Sequence, residues 1–183
     1  MKQILLLTLF TSSIFFSFGQ NDAPKEITPQ VLQKIKADVE KDVLGFKHKI
    51  SKEEMTADQI EFSVDTFRIK QIVSRRMGID YSTSGMNFTV EEMTISYEKL
   101  MNKYYNKLLK SLKPEDKKVL IAAQKSWIGY RNAEVKLIGT MTKDIYSGGG
   151  TIQSNIATGS YSDLVIKRAV EIFNYYDSII KDK

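Results

Sequence analysis

Apolar residues recur at intervals of three and four along most of this 183-residue chain, and residues typical of helix ends punctuate that spacing. No segment shows the strict alternation of apolar and polar residues that indicates a half-buried strand. Apolar residues make up 42% of the chain, which is enough for one core, and no linker divides it into separate folding units. The sequence therefore predicts an all-α fold, a single bundle of about five helices.

Caps, prolines and glycines delimit the predicted helices. Thr28 before Pro29 is typical of a helix start, and Lys113 before Pro114 predicts a tight turn between the third and fourth helices. The five predicted helices run from 29 to about 45, from a cap at 51 or 56 to 77, from 89 to 112, from 114 to 141, and from a cap at 160 or 162 to the C-terminus. A glycine-rich loop over residues 142–159 separates the last two helices.

The first nineteen residues have the pattern of a secretory signal peptide. The apolar run over residues 4–18 would span about 22 Å as a helix, which is short of the roughly 30 Å of a bilayer core. Ser17 and Gly19 are small residues at positions −3 and −1 of a cut before Gln20. We therefore expect an exported mature chain that starts at Gln20, has no transmembrane segment, and resides in the periplasm or outside the cell.

The residue types needed for most catalytic and metal sites are scarce. The chain has no cysteine, which excludes disulfides, thiolate metal sites and a cysteine nucleophile. Its single histidine, His48, lies between Lys47 and Lys49 without a neighbouring acid, as is typical of a solvated connector. No set of acid, base and nucleophile converges elsewhere, so the sequence predicts no catalytic residue, no metal and no organic cofactor.

The fourth predicted helix carries an unusual stripe. Its spacing places the sole tryptophan, Trp127, on one face with Gln124, Arg131 and Glu134. Polar groups on a core-facing stripe need partners. Two interpretations are open. The first is a structural network that fixes the glycine-rich loop against the bundle, in which Arg131 stacks on Trp127 or Tyr130, pairs with Glu134, or caps carbonyls of a neighbouring helix or of the loop. The second is a ligand pocket around Trp127 and Arg131.

Residues 122–134, AAQKSWIGYRNAE, resemble the A-Q-R-x-W-x-x-[FY]-R-[DN]-A signature of the lysozyme-inhibitor LprI-like domains. Other segments of the family pattern occur in order, including a glycine pair at Gly148 and Gly149. The remaining matches, for which the resemblance implies a structural role, are Met86, Asn87, Asn102, Tyr105, Gln124, Trp127, Arg131, Leu164 and Arg168. The resemblance covers about residues 86–183.

Residues 20–85 are then an N-terminal helical extension, which we expect to pack with the LprI-like domain as one unit. Where the family commonly carries cysteine, this chain has Thr89, Val135 and Ser160. The disulfides usual in the family are therefore absent. The resemblance leaves Trp127, Arg131, Arg168 and burial of Ile145 or Ile152 to hold the loop.

The resemblance implies a non-catalytic, exported envelope protein that binds and inhibits a lysozyme-type muramidase. The candidate contact is the segment from Tyr146 to Gln153, called here the glycine loop. The candidate partner-binding residues in and beside it are Lys143, Tyr146, Ser147, Gly148, Gly149, Gly150, Thr151 and Gln153. The alternative for the glycine loop is a surface connection that only joins two helices.

A second functional hypothesis is an envelope module that binds an anionic glycan or lipid. It depends on a basic face around the third and fourth helices, formed by Lys103, Lys107, Lys110, Lys113, Lys117 and Lys118. The competing interpretation is the ordinary solvated side of an amphipathic helix. The export signal and the lack of a reader motif argue against nucleic acid as a partner. The sequence carries no signal for an oligomeric state.

Overall fold

A computed structural model describes residues 23–181 of the chain. The helices are α1 (Pro29–Ile50), α2 (Ala57–Met77), α3 (Thr83–Ser111), α4 (Pro114–Met141), the single turn α5 (Asp144–Ser147) and α6 (Ile152–Lys181). Within this range there is no strand, which confirms the all-α prediction. The predicted signal peptide, residues 1–19, lies outside the described residues.

The helix starts follow the capping chemistry read from the sequence. Thr28 accepts a hydrogen bond from the Val31 amide at 3.3 Å. Thr56 and Gln59 form a reciprocal capping box, with distances of 3.2 Å and 2.9 Å between each side chain and the opposite amide. Pro114 begins α4 as predicted. These local bonds satisfy amide groups that a helix start otherwise leaves unpaired.

Two predicted boundaries in the first half of the chain are wrong. Helix α1 continues past Gly45 to Ile50, because Ile50 extends the buried face that contains Val43. Helix α3 starts at Thr83 and not at Thr89, because the side chain of Ser82 caps it by accepting from the Gly85 amide at 3.0 Å.

The predicted loop over residues 142–159 is also wrong in extent. Helix α5 occupies part of it, and α6 begins at Ile152, ahead of the predicted caps at Ser160 or Ser162. Serine, threonine and asparagine have low helix propensity, but long helices tolerate them when their side chains find partners. Thr158 does so by donating to the carbonyl oxygen of Ser154 at 2.9 Å. Only residues 148–151 are non-helical between α5 and α6.

Two apolar clusters form the core, and α2 contributes to both. In the larger one, between α3 and α6, Tyr104 and Ile172 are fully buried, and Phe62 of α2 stacks on Phe173 with ring centroids 3.8 Å apart. In the smaller one, Phe46 of α1 stacks on Phe67 of α2 at 4.2 Å. Helix α2 therefore contacts neighbours on more than one side, as its sequence predicts.

Helix α4 lies at the edge of the bundle. Among its residues that the structure describes, only Leu120 is buried, whereas Gln124, Trp127, Arg131 and Glu134 are half-buried. Its exposed large apolar side chains are Val119, Ile121, Ile128, Tyr130, Val135, Leu137 and Met141. The predicted stripe thus lies on the face of α4 that contacts the bundle, but its side chains are only half-buried. Across residues 23–181, no helix combines the length and apolar character needed to cross a bilayer.

Candidate functional site

The glycine loop reverses the chain between α4 and α6. Helix α5 ends at Gly148, whose amide donates to the carbonyl oxygen of Asp144 at 2.9 Å. Gly148, Gly149 and Gly150 all have positive φ angles, of 78°, 79° and 91°. Only glycine adopts this region without steric cost. A Cβ at Gly149 would also come within 3.1 Å of the Asp144 carboxyl group.

Ser147 organises the interior of the loop. Its hydroxyl donates to the carbonyl oxygen of Lys143 at 3.0 Å and accepts from the Gly149 amide at 3.2 Å. The side-chain amide of Gln153 donates to the Gly149 carbonyl oxygen at 3.4 Å. The loop therefore has a defined shape that depends on its own side chains.

The outer surface of the loop carries apolar and polar groups side by side. Ile145 and Tyr146 on α5 are 80% and 60% exposed. The backbone amides of Gly150 and Thr151 have no acceptor among residues 23–181. Successive amides at left-handed glycines form a concavity that suits an anionic oxygen. The loop thus offers an aromatic ring, an aliphatic side chain and free amide donors over a short distance.

A second group of predicted residues meets where α4 packs on α6 and α3. Arg168 is buried and donates through Nε to Gln124 Oε1 at 3.0 Å. The guanidinium groups of Arg131 and Arg168 lie 5.3 Å and 5.9 Å from the centroid of the Trp127 ring. Arg131 also approaches Glu98 of α3 at 3.9 Å. These partners lie in α3, α4 and α6 and none lies in the glycine loop, so the expectation that this network fixes the loop is wrong.

A family model described as lysozyme inhibitor LprI matches residues 75–172. The match covers more than half of the chain. The chain belongs to the LprI lysozyme inhibitor family. Comparisons with curated proteins and with solved structures found no match. The matched range begins in the last turn of α2 and ends within α6, so it contains α4, the glycine loop and the Trp127 network.

The other LprI signature residues are dispersed over the fold. Asn87, next to the half-buried Met86 in α3, donates through its side-chain amide to the hydroxyl of Ser154 in the first turn of α6. This bond fixes the far end of the glycine loop. Sequence analysis missed Ser154, because a lone serine in a polar segment gives no signal of a partner in a distant helix. The remaining three occupy α3 and α6, with Asn102 exposed and Tyr105 and Leu164 half-buried.

The glycine loop lacks the anchors predicted in place of the family's disulfides. Ile152, like Ile145, is exposed. Of the positions that the sequence resemblance matches to cysteines, Thr89 is buried, Ser160 is half-buried and Val135 is exposed. The loop is therefore held by Ser147, by Gln153 and by the bond between Asn87 and Ser154.

The predicted basic face is partly neutralised. Lys103 pairs with Asp65 at 2.7 Å and with Glu61 at 3.0 Å. Lys107 pairs with Glu61 at 2.9 Å and also with Asp58. These two lysines hold α3 against α2, so counting them as a free basic surface is wrong. In the rest of the set, Lys110, Lys113 and Lys118 are exposed and Lys117 is half-buried.

His48 is exposed in the last turn of α1. It is therefore solvated as predicted, but it lies in a helix and not in a connector. Over the described part of the chain, no group of three or more histidine, aspartate or glutamate side chains is placed to hold a metal ion.

Proposed function

We propose that this LprI-family protein is exported and inhibits a lysozyme-type muramidase by inserting its glycine loop into the enzyme's cleft. Family membership supports inhibition as the class of activity. The observation that carries the choice of surface is the exposed pair Ile145 and Tyr146 beside the free amides of Gly150 and Thr151. Exposed aromatic side chains that fill a partner's pocket commonly dominate binding energy.

The chemistry of the target suits these groups. Lysozyme-type enzymes hydrolyse a glycosidic bond with two carboxyl groups that flank it. Amide donors at Gly150 and Thr151, with the ammonium group of the exposed Lys143, offer hydrogen bonds and positive charge to such carboxyl groups. A loop that occupies this position blocks substrate without any reaction, and so the inhibitor itself needs no catalytic residue.

The internal bonds of the loop support tight binding. Ser147 and Gln153 restrain the loop before any partner arrives, and its three glycines permit the left-handed backbone that these bonds hold. A preformed loop loses less conformational entropy on binding than a flexible one.

The test uses residues 20–183, added in increasing molar ratio to lysozymes of several types while cell-wall lysis is followed. We expect inhibition that saturates near one equivalent for at least one type. Tyr146→Ala should weaken inhibition about tenfold or more, because it removes a central aromatic contact. Tyr175→Ala is the matched control, because Tyr175 is 54% exposed in α6, outside the loop, and should leave inhibition unchanged.

A glycine pair separates loop shape from general stability. Gly150→Ala places a side chain at φ 91° with no neighbour within 4 Å, so it strains the backbone without a clash. Gly129→Ala adds the same methyl group in α4, where a Cβ also meets nothing within 4 Å. We expect only Gly150→Ala to weaken inhibition. Equal inhibition by both variants would contradict the glycine loop as the binding surface. No inhibition of any lysozyme type would contradict lysozyme inhibition as the function.

Export has its own test. Expression of the full chain in a Gram-negative host should release a protein whose intact mass corresponds to residues 20–183, as the predicted cut before Gln20 requires. Retention of the full-length mass in the cytoplasm would contradict export.

The alternative partner, an anionic glycan or lipid, keeps one observation in its favour. Lys110, Lys113 and Lys118 are exposed around the turn between α3 and α4. However, Glu115 and Asp116 lie in the same turn and reduce its positive potential. Contact through these lysines should weaken steeply between 50 and 300 mM salt, whereas contact through the glycine loop should weaken less.

A further inference from the structure

A cavity of about 310 Å³ lies between α1, α2 and α3. Its apolar lining includes Leu32, Ile69, Ile72 and Met93, and the rest of the lining is largely polar or charged. None of its lining residues belongs to the glycine loop, to α4 or to α6. A cavity of this size lies at the lower end of the range that binds small molecules. It is therefore a site independent of the surface proposed for lysozyme.

Two buried residues that line this cavity each have one unpaired polar atom. Arg76 is 2% exposed and Thr89 is 1% exposed, and both line the cavity. Arg76 Nε and Thr89 Oγ1 have no hydrogen-bond partner in the described structure. Buried donors are almost always paired in folded proteins, so two unpaired ones beside one cavity point to a missing acceptor.

An ion pair links the two helices close to these groups. Arg76 Nη1 pairs with Glu92 of α3, and Glu92 lies one turn beyond Thr89 on the same helix. This ion pair brings the guanidinium of Arg76 to the same end of the cavity as the Thr89 hydroxyl. A guanidinium has five N–H donors, so Arg76 can hold Glu92 through one nitrogen and a ligand through Nε.

The lining of the cavity has an excess of positive charge. Lys36 of α1 and Lys99 of α3 are exposed at its edge, and neither has an ion pair among residues 23–181. Arg68 also lines it but is engaged by Glu40 at 2.6 Å. Glu92 is the one acid among the lining residues. An anion is therefore favoured over a neutral or cationic ligand.

We propose that this cavity binds an amphipathic anion, an unbranched aliphatic chain with one carboxylate head. The head accepts hydrogen bonds from Arg76 Nε and Thr89 Oγ1, which are closed off from solvent in the free protein and turn towards the ligand on binding, and the chain lies along the apolar part of the lining. A methylene group occupies nearly the volume of a water molecule, about 30 Å³, so the cavity holds a chain of about eight to ten carbons.

The probe is decanoate, titrated below its micellar concentration into residues 20–183 and followed by calorimetry. We expect saturable binding at one site. Decanol, which keeps the chain but lacks the charge, should bind at least about fivefold more weakly, and butyrate, which keeps only the charge, should not bind measurably. Equal binding of decanol and decanoate would overturn the anionic head group, and no binding of decanoate would overturn the site.

Thr89→Val tests the head-group contact without disturbing the fold. Valine has the shape of threonine, and the hydroxyl it removes is unpaired, so the free variant should be at least as stable as the wild type. Its affinity for decanoate should fall at least about fivefold. Thr94→Val is the matched control, because Thr94 is buried in the same helix, bonds internally to the Val90 carbonyl oxygen at 2.7 Å and does not line the cavity.

A charge variant tests the edge of the cavity. Lys36→Gln combined with Lys99→Gln should weaken decanoate binding and flatten its dependence on salt, whereas Lys125→Gln on α4 should do neither. Decanoate affinity that is unchanged in Thr89→Val and in the double lysine variant would place the ligand elsewhere and overturn the proposal. Lysozyme inhibition is measured separately, because the cavity and the glycine loop share no residue.

Discussion

Asp58 is the residue at which three helices are tied together. Its carboxylate, in the first turn of α2, accepts hydrogen bonds from Lys107 of α3 and from the hydroxyl of Tyr176 of α6, the latter at 2.7 Å. Burial alone would raise the pKa of Asp58, but these two hydrogen bonds and the charge of Lys107 outweigh it, so the pKa lies below the usual value. The fold therefore stabilises the charged form of this carboxyl group.

The lowered pKa of Asp58 predicts the direction of acid destabilisation. A carboxyl group with a folded pKa below its unfolded value contributes stability above the unfolded pKa, near 4, and loses it as the pH falls through the folded pKa. Asp58→Asn should lower the free energy of unfolding at pH 7 by about 1–2 kcal/mol, and should lose less further stability on acidification than the wild type. Urea unfolding at pH 7 and pH 3 measures both effects.

The matched control for Asp58 is Asp163→Asn, since Asp163 is an exposed aspartate of α6. It should change the free energy of unfolding by only a few tenths of a kcal/mol, as about ±0.5 kcal/mol is usual for surface substitutions. If Asp58→Asn and the wild type lost equal stability between pH 7 and pH 3, the charged carboxylate of Asp58 would not stabilise the fold.

Sequence reasoning found the local role of this segment but not its distant partners. Thr56 and Gln59 form a box within one turn, which a sequence motif can show. Lys107 and Tyr176 are 49 and 118 residues away from Asp58, and nothing in the spacing along α3 or α6 indicates which charge faces them. For the same reason sequence reasoning assigns Lys103 and Lys107 of α3 to a free basic face, whereas both are paired with acids of α2.

At the scale of the element, α4 shows what helical periodicity can predict. Its bounds, from Pro114 to Met141, follow from the proline and the spacing and are confirmed. Periodicity also identifies which face carries Trp127, but it does not measure how deeply that face is buried. The depth depends on how closely α6 approaches, which is set by packing of residues far apart in sequence.

The shallow packing of α4 predicts low local stability. Segments with few buried apolar contacts open more readily than the core. Backbone amides of α4 should therefore exchange with solvent faster than those of α3, measured by hydrogen exchange and mass spectrometry at neutral pH. Leu120→Ala removes the buried side chain of α4 and should cost about 2 kcal/mol or more, with the largest gain in exchange confined to α4.

A matched variant for Leu120→Ala is Leu137→Ala, which shortens an exposed leucine of the same helix. It should leave the exchange of α4 nearly unchanged. Protection of α4 equal to that of α3 would mean that another surface of α4 is covered in solution, and would contradict the local-opening argument.

Over the whole molecule, α2 connects the two parts that the sequence distinguishes. Phe62 packs into the cluster between α3 and α6, whereas Val64 and Phe67 pack towards α1. The family match starts at residue 75, so most of α2 lies outside it while its side chains complete the core within it. The prediction that the N-terminal extension packs with the rest as one unit follows from this shared helix.

Phe46→Ala, in the smaller cluster, tests whether the N-terminal extension and the rest of the chain unfold as one unit. Phe46 contacts Phe67 in the smaller cluster, and its truncation should cost about 2 kcal/mol, below the usual range for a fully buried phenylalanine. If the protein is one cooperative unit, this cost lowers the free energy of exchange of every amide that exchanges only through global unfolding. The slowest amides near Tyr104 in α3 and Ile172 in α6 should therefore lose protection by the same free energy, although neither residue belongs to the smaller cluster.

Leu44→Ala is the control for this whole-molecule test, because Leu44 is an exposed residue of the same helix and should leave exchange in α3 and α6 unchanged. Loss of protection in α1 and α2 alone, with α3 and α6 as protected as in the wild type, would mean that the two clusters unfold separately. In that case α2 would unfold and withdraw Phe62 from the larger cluster while that cluster stayed folded. Phe62→Ala would then have to lower the free energy of unfolding by only about 1 kcal/mol or less, far below the usual 3–5 kcal/mol for truncation of a buried phenylalanine. Measuring Phe62→Ala beside Phe46→Ala therefore gives two independent readings of the same coupling through α2.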